Sequence, residues 1–243
     1  MAKISEQNYL LRKIAPGLYT FTGLVLGRVY LIVDPDGLTI IDTALPWAAG
    51  EIIRQLVAAG RRPAEVKRIL VTHGHPDHAG GLPRLKTITG AQVIASAAER
   101  AVIEGKAPVG HRPPVRPSAM RRLAWPPQVT LRGTTVDRVV GDGETLTEVM
   151  GGLRVIATPG HTPGHISFWQ PDRRVLFCGD VIAASLGMRL PSPTWTVDMD
   201  ENRRSIKRLA ALDASIVCFG HGSPLVQDTA RRLRTFARRV CVD

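Results

Sequence analysis

Six of the seven histidines, together with an isolated Gly-Asp pair, fall in four short segments that each follow an apolar run. The densest is Thr72-His73-Gly74-His75-Pro76-Asp77-His78, directly after Arg68-Ile69-Leu70-Val71. In an extended segment His73 and His75 project the same way, and a helix entered through the turn at Pro76 can return Asp77 and His78 beside them. The second segment is Thr158-Pro159-Gly160-His161-Thr162-Pro163-Gly164-His165, where proline and glycine fix a tight turn that aims an imidazole off a strand end. Phe177-Cys178-Gly179-Asp180 ends an apolar strand with an acid, and Cys218-Phe219-Gly220-His221-Gly222 adds a further imidazole.

Singly, each of these is an ordinary strand-end histidine or turn acid. Jointly, His73, His75, His78, His161 and His221 with Asp77 and Asp180 are enough to hold two divalent metals that keep open positions. Imidazole and carboxylate without thiolate suit zinc, the first expectation, and equally admit iron, manganese or cobalt. Two such cations about 3.5–4 Å apart lower the pKa of a bridging water toward about 7 and polarise a carbonyl or phosphoryl oxygen, which would place hydroxide and charge stabilisation at one site. Asp77 and Asp180 are the carboxylates expected to act in catalysis. His165, four residues beyond His161 as the next strand begins, is expected to be structural.

Positioning these groups requires several strand ends on one side of the molecule, and the apolar pattern supplies them. Residues 18–23, 27–33 and 38–42 read as an antiparallel meander. A helix follows from Pro46 to Gly60 with Ile52, Ile53, Leu56 and Val57 on one face. Strands over 66–72 and 91–96 then alternate with helices after His78 and over 97–104. A second set of strands, 136–140, 153–157, 165–169 and 174–178, leads to a helix over 202–212 and a strand over 215–219. Last comes a basic amphipathic helix over 224–240, with Leu225, Ala230, Leu233, Phe236 or Ala237, and Val240 inward. Between 105 and 128, prolines and basic residues without a single acid mark a surface excursion, read as an active-site lid on one domain spanning 1–243. His111 sits in that excursion and is expected to face solvent.

With 243 residues, 44% hydrophobic and 22% charged, the composition is that of a compact enzyme-sized chain. Cys178, Cys218 and Cys241 are odd in number and far apart, which disfavours a disulfide framework or a thiolate zinc site and suits a reducing interior. No long apolar run and no apolar leader are present, so the expected place is the cytoplasm, without a membrane span or signal peptide. The net charge of +11 raises nucleic acid as a partner. The positive residues are scattered and not interleaved with aromatics, so a small-molecule substrate is expected instead.

On the run His73-Gly74-His75-Pro76-Asp77-His78 the sequence resembles the metallo-β-lactamase-fold superfamily, whose signature is His-x-His-x-Asp-His. The resemblance continues through Asp42 of Ile41-Asp42-Thr43, His161, Asp180 and His221 in the family order. It implies an α/β fold, a four-layer αββα sandwich of two mixed β-sheets with outer helices, and metals at one edge of the paired sheets. It further implies that His73, His75 and His161 bind one metal, that Asp77, His78 and His221 bind the second, and that Asp180 bridges. Asp42 is expected to accept an imidazole N–H and so orient a ligand.

Departures within the resemblance narrow the activity. An acid at Asp180 is similar to the dinuclear lactonases and glyoxalase II rather than to β-lactamases. Flavodiiron proteins replace the second motif histidine with glutamate and add a flavin domain. Glyoxalase II carries a C-terminal helical region for glutathione, whereas only 223–243 follow Gly222 here. Quorum-quenching lactonases usually place a tyrosine where this chain has Ala183, and Tyr9, Tyr19 and Tyr30 all precede the motif. Any assisting phenol would therefore come from the N-terminal strands. The expected activity is metal-dependent hydrolysis of a lactone, ester or thioester. The alternatives are a phosphodiesterase or nuclease of the same superfamily and a mononuclear iron sulfur dioxygenase using only His73, His75 and His161. The complete second ligand set argues against the dioxygenase and against a protein that merely holds metal. Two segments are candidate walls. The apolar tip Gly23-Leu24-Val25-Leu26-Gly27 reads as a flap over an aliphatic group or a homodimer contact, and 183–196 adds Leu186, Met188, Leu190 and Trp195 with Arg189 as an anchor for a carbonyl or anion.

Overall fold

Side chains along the central strands are apolar on both faces, so each sheet must be covered twice. On the strand Tyr30–Asp34, Tyr30 and Ile32 join one core cluster while Leu31 joins another. On Val175–Gly179, Val175 and Phe177 pack one way and Leu176 and Cys178 the other. The computed structural model describes residues 10–110 and 128–241. Most of the 105–128 excursion, with His111, lies outside the described residues, and so does Tyr9.

The first sheet has seven strands in the order β1-β2-β3-β4-β5-β6-β7. These are β1 Leu11–Ala15, β2 Leu18–Phe21, β3 Tyr30–Asp34, β4 Gly37–Ile41, β5 Val66–Leu70, β6 Gln92–Ser96 and β7 Arg138–Val140. Its first four strands form an antiparallel meander and the rest pair in parallel. The second sheet has five strands in the order β12-β11-β10-β9-β8. They are β8 Thr145–Leu146, β9 Leu153–Ala157, β10 Ile166–Gln170, β11 Val175–Gly179 and β12 Ile216–Phe219. Only β11 and β12 pair in parallel there.

Three core clusters correspond to the three interfaces of four layers. Ile41, Leu70 and Ile94 of the first sheet meet Val155, Phe168 and Phe177 of the second. The outer face of the first sheet, with Ile40, Ile69 and Val93, is covered by α1 Ala48–Ala58 and α3 Leu82–Thr89. The outer face of the second, with Leu176, Val217 and Phe219, is covered by α5 Met199–Ala210 and α6 Thr229–Val240. The short helices α2 Pro76–Ala79 and α4 Arg100–Ile103 sit at the ends of β5 and β6. The molecule is thus the expected αββα sandwich of two mixed sheets. Among the described residues no helix is long and apolar enough to cross a membrane.

Differences from the sequence reading have local causes. α5 begins a turn earlier than its apolar pattern, because the Asp198 carboxylate accepts from the backbone N–H groups of Asp200 and Glu201 and caps it. α6 begins at Thr229 rather than near Pro224, since Leu225 is used to exchange backbone hydrogen bonds with Val217. β1 and β8 were not expected, being a mixed polar strand and a two-residue strand respectively.

Candidate metal centre

Five segments leave the C-terminal ends of β4, β5, β9, β11 and β12, and they bring Asp42, the His73–His78 run, His161, Asp180 and His221 to one edge of the sandwich. Gly220 is needed for this approach, because a Cβ there would lie 2.0 Å from Asp180 Oδ1 and 2.8 Å from a carbon of the His78 ring. Three groups of donors lie with their ligand atoms within 4.8 Å of one another: His73, His75 and His161; His73, His78 and Asp180; and Asp77, His78 and His221. All seven sequence-derived candidates are therefore together.

For His73, His75 and His161 the surrounding hydrogen bonds fix which nitrogen carries the proton. His75 Nε2 lies 3.2 Å from the Gly110 carbonyl, which can only accept, so Nδ1 is the bare nitrogen. Thr196 Oγ1 donates to the Ser192 carbonyl at 2.8 Å and so receives a proton from His161 Nδ1 at 3.2 Å, leaving His161 Nε2 bare. These two bare nitrogens face each other at 3.0 Å. In the same way Thr72 Oγ1 donates to the Asp42 carboxylate at 2.8 Å and accepts from His73 Nδ1 at 3.0 Å. His73 Nε2, fully buried, has no hydrogen-bond partner among the described residues. Lone pairs converging in a buried space repel unless a cation lies between them, so this donor set fits a divalent metal. His165 is different. Its Nε2 accepts from the Asp180 backbone N–H at 3.1 Å and its Nδ1 bonds Thr158 Oγ1 at 2.8 Å, so both nitrogens are used, in keeping with a structural role.

Burial, reinforced by neighbouring imidazoles, holds His73 and His161 well below the ordinary histidine range, and burial brings His165 to about 3. The other side of the centre is held by protons. Burial opposes charge on His78, but Asp180, Asp77 and Asp42 outweigh it and raise its pKa well above the ordinary value. His221 is raised to about 9 against its burial by hydrogen bonds to Asp180 and Asp77, at 3.2 and 3.1 Å. Burial raises the Asp77 carboxyl, yet the His78 and His221 charges bring it down to about 2. Asp180 reaches both sides: Oδ2 lies 3.5 Å from His161 Nε2 and Oδ1 lies 3.4 Å from His78 Nε2 without forming a hydrogen bond.

Sequence reasoning missed Thr72 and Thr196 as the groups that fix the tautomers of His73 and His161. Thr196 is 35 positions from its partner, and no local pattern could have marked it. His75, His161 and His221 with Asp77 and Asp180 form the floor of a cavity of about 450 Å³ walled by Leu26, Leu45, Pro76, Ala183, Pro191 and Trp195, with Ser185, Ser192 and Arg189 as polar neighbours. Trp195 stands edge-on to His75 with ring centres 5.6 Å apart. From the expected flap it is Leu26 that lines this cavity, while Leu24 packs against the core under the first sheet. Leu186 and Met188 line a separate depression against α6. Neither Tyr19 nor Tyr30 is among the cavity's lining residues; Tyr30 donates to the Phe219 carbonyl at 2.6 Å.

A family model described as the metallo-beta-lactamase superfamily matches residues 22–221. A probable metallo-hydrolase of Bacillus subtilis, YflN, is 30% identical over 234 residues, which cover 87% of this chain and 86% of that protein. A hydroxyacylglutathione hydrolase of Methylococcus capsulatus is 31% identical over 191 residues, 79% of this chain, which spans 60% of that protein's length. Among solved structures, the subclass B3 metallo-beta-lactamase BJP-1 of Bradyrhizobium japonicum superposes with a TM-score of 0.70 at 26% identity, covering 96% of this chain and 90% of that one.

Proposed function

The chain belongs to the metallo-beta-lactamase superfamily of hydrolases, and from that membership we propose that it uses two divalent cations, zinc foremost, to hydrolyse a small acyl ester, lactone or thioester. The observation that carries this reading is the pair of bare nitrogens of His75 and His161, 3.0 Å apart at the floor of an apolar cavity. His73, His75 and His161 would hold one cation and Asp77, His78 and His221 the other, with Asp180 touching both. When bound, such ions supply Lewis-acid polarisation and a water acidic enough to ionise near neutral pH.

The chain's own residues do the rest. Asp42 holds the Nδ1 proton of His78 and Thr196 that of His161 on the outward nitrogens, so it is the inward nitrogens that would face a cation. Asp77 and Asp180 bring negative charge that favours two cations side by side. Leu26, Leu45, Pro191 and Trp195 give the cavity an apolar wall that offers contact to an aliphatic acyl group. The buried thiols Cys178 and Cys218 suit a reducing compartment such as the cytoplasm.

Metal analysis after purification without chelator, together with a matched panel of an alkyl ester, a lactone, a thioester and a phosphodiester, tests this. Two equivalents of metal and preferred cleavage of the acyl substrates are expected. About one equivalent with full activity would overturn the two-cation reading, and faster phosphodiester cleavage would overturn the substrate class.

A further inference from the structure

Outside the donor set, a buried acid is tied to two of the loops that carry it. Glu99, 3% exposed at the start of α4, accepts from the Gly74 N–H through Oε2 at 2.8 Å and from the Gly164 N–H through Oε1 at 2.9 Å. Gly74 lies between His73 and His75; Gly164 lies between His161 and His165. The carboxylate therefore joins the two loops whose histidines form one donor group, and no ion pair to it is found among the described residues. Ser96 extends the link. Its hydroxyl donates to the Gly164 carbonyl at 2.6 Å and receives the Glu99 backbone N–H at 3.4 Å, so both backbone groups of Gly164 are held by this one corner.

The two glycines make the contact possible. A Cβ on Gly74 would lie 3.0 Å from Glu99 Oε2 and 2.7 Å from Val102 Cγ1, and one on Gly164 would lie 2.8 Å from Glu99 Cγ. A buried carboxylate without a cation is costly unless charge-assisted hydrogen bonds compensate it, and here both oxygens are spent on backbone groups beside the histidines. If α4 needed only to dock, an apolar residue would do so without that cost.

We propose that Glu99 is a positioning residue that sets the separation of the His73–His75 and His161 loops, and through it the affinity of the three-histidine group for its cation. The role rests on the metal reading above. Because the Glu99 carboxylate is spent on backbone N–H groups, it acts through the loops and not on substrate. Glu99→Gln keeps the shape but leaves an amide NH2 facing one of the two N–H donors, which pushes that loop away.

The test is cobalt(II) binding to metal-free protein, followed by its visible absorption and by competition with a chelator, beside thermal unfolding of each metal-free variant. Glu99→Gln is expected to weaken binding of the first equivalent by about 10–100-fold, the range for groups that hold ligands in place, and to change the cobalt spectrum. Val102→Ala, which loosens the same α4 contact without touching the hydrogen bonds, is expected to lower the unfolding temperature and leave affinity and spectrum as in the wild type. Wild-type affinity and spectrum in Glu99→Gln overturn the proposal, as does a Val102→Ala variant that weakens cobalt binding equally. Should Glu99→Gln not fold, Ser96→Ala decides, with a smaller loss of affinity expected and an unchanged one overturning the role. A wild-type protein that takes up no cobalt would instead overturn the metal reading itself.

Discussion

His78 Nδ1 lies 2.8 Å from Asp42 Oδ2, with both residues buried, Asp42 just past the end of β4 and His78 within α2. Asp42 holds this contact from a backbone with φ 59°, a left-handed conformation that a non-glycine residue adopts at a cost. The same carboxylate accepts from the Thr72 N–H and hydroxyl, so one strained acid orders both His78 and, through Thr72, His73.

Replacement of Asp42 by Asn should therefore act through a tautomer. The amide can still accept from Thr72, but its NH2 group would then face His78 Nδ1, and the ring would respond by carrying its proton on Nε2, toward the centre. Metal affinity or activity is expected to fall by about 10–100-fold, the usual result of disturbing a group that orients a ligand. Metal content by elemental analysis, measured beside kcat/KM, checks this; an Asp42→Asn protein with both at wild-type levels would contradict it.

Asp180 should be less forgiving than Asp42. Its two oxygens lie 3.2 Å from His221, 3.4 Å from His78 and 3.5 Å from His161, so its carboxylate lies between His161 on one side and His78 and His221 on the other. Asp180→Asn removes a negative charge with little change in shape. The protein is expected to fold, and to lose more activity than the roughly 10–100-fold anticipated for an orienting residue. Circular dichroism with metal content and turnover on the same preparation tests the assignment, and wild-type turnover with two metals would show that another residue bridges.

The clustering of the candidate ligands was legible because it is local in sequence: His73, His75, Asp77 and His78 fall within six residues, and His161, Asp180 and His221 each follow an apolar strand. The αββα layering was legible through apolar strands flanked by amphipathic helices. What escaped were contacts that join distant segments. Thr196 meets His161, and Glu99 meets Gly74 and Gly164, across 35, 25 and 65 positions, and nothing in a threonine or a glutamate marks it for such work. The inward direction of Leu26 rather than Leu24 depended on the turn between β2 and β3, where Gly27 packs against the Asp77 backbone.

Metal uptake should release protons unequally. His73, His75 and His161 are shifted downward and already neutral near pH 7, so filling their group should be nearly proton-silent. His78 and His221 are shifted upward, the latter to about 9, so a cation binding there must displace protons. Because the His221 pKa is higher in the folded chain than the ordinary 6.5, its contribution to stability is full below pH 6.5 and disappears as pH rises through about 9. The metal-free protein should accordingly lose unfolding temperature between pH 6.5 and 9, and the metal-loaded protein should lose less. Calorimetry in buffers of different ionisation enthalpy should detect proton release on the second equivalent; equal release on both would contradict the assignment of the two groups.

The cavity wall gives the last expectation. Leu26 reaches the cavity from the β2–β3 turn while remaining 50% exposed, so a bound acyl chain could cover the remainder of its side chain. Full burial of a leucine is worth about 1.5–3 kcal/mol, and half of that corresponds to roughly 4–13-fold in affinity. Leu26→Ser should therefore raise KM for a long-chain ester or lactone by about that factor while changing kcat little, because the contact is made equally in the ground and transition states. For a short acetyl ester, which does not reach the wall, the same variant should behave as wild type. A kcat defect equal for short and long chains would mean that the turn positions the metal centre, through Gly27 against Asp77, rather than the substrate.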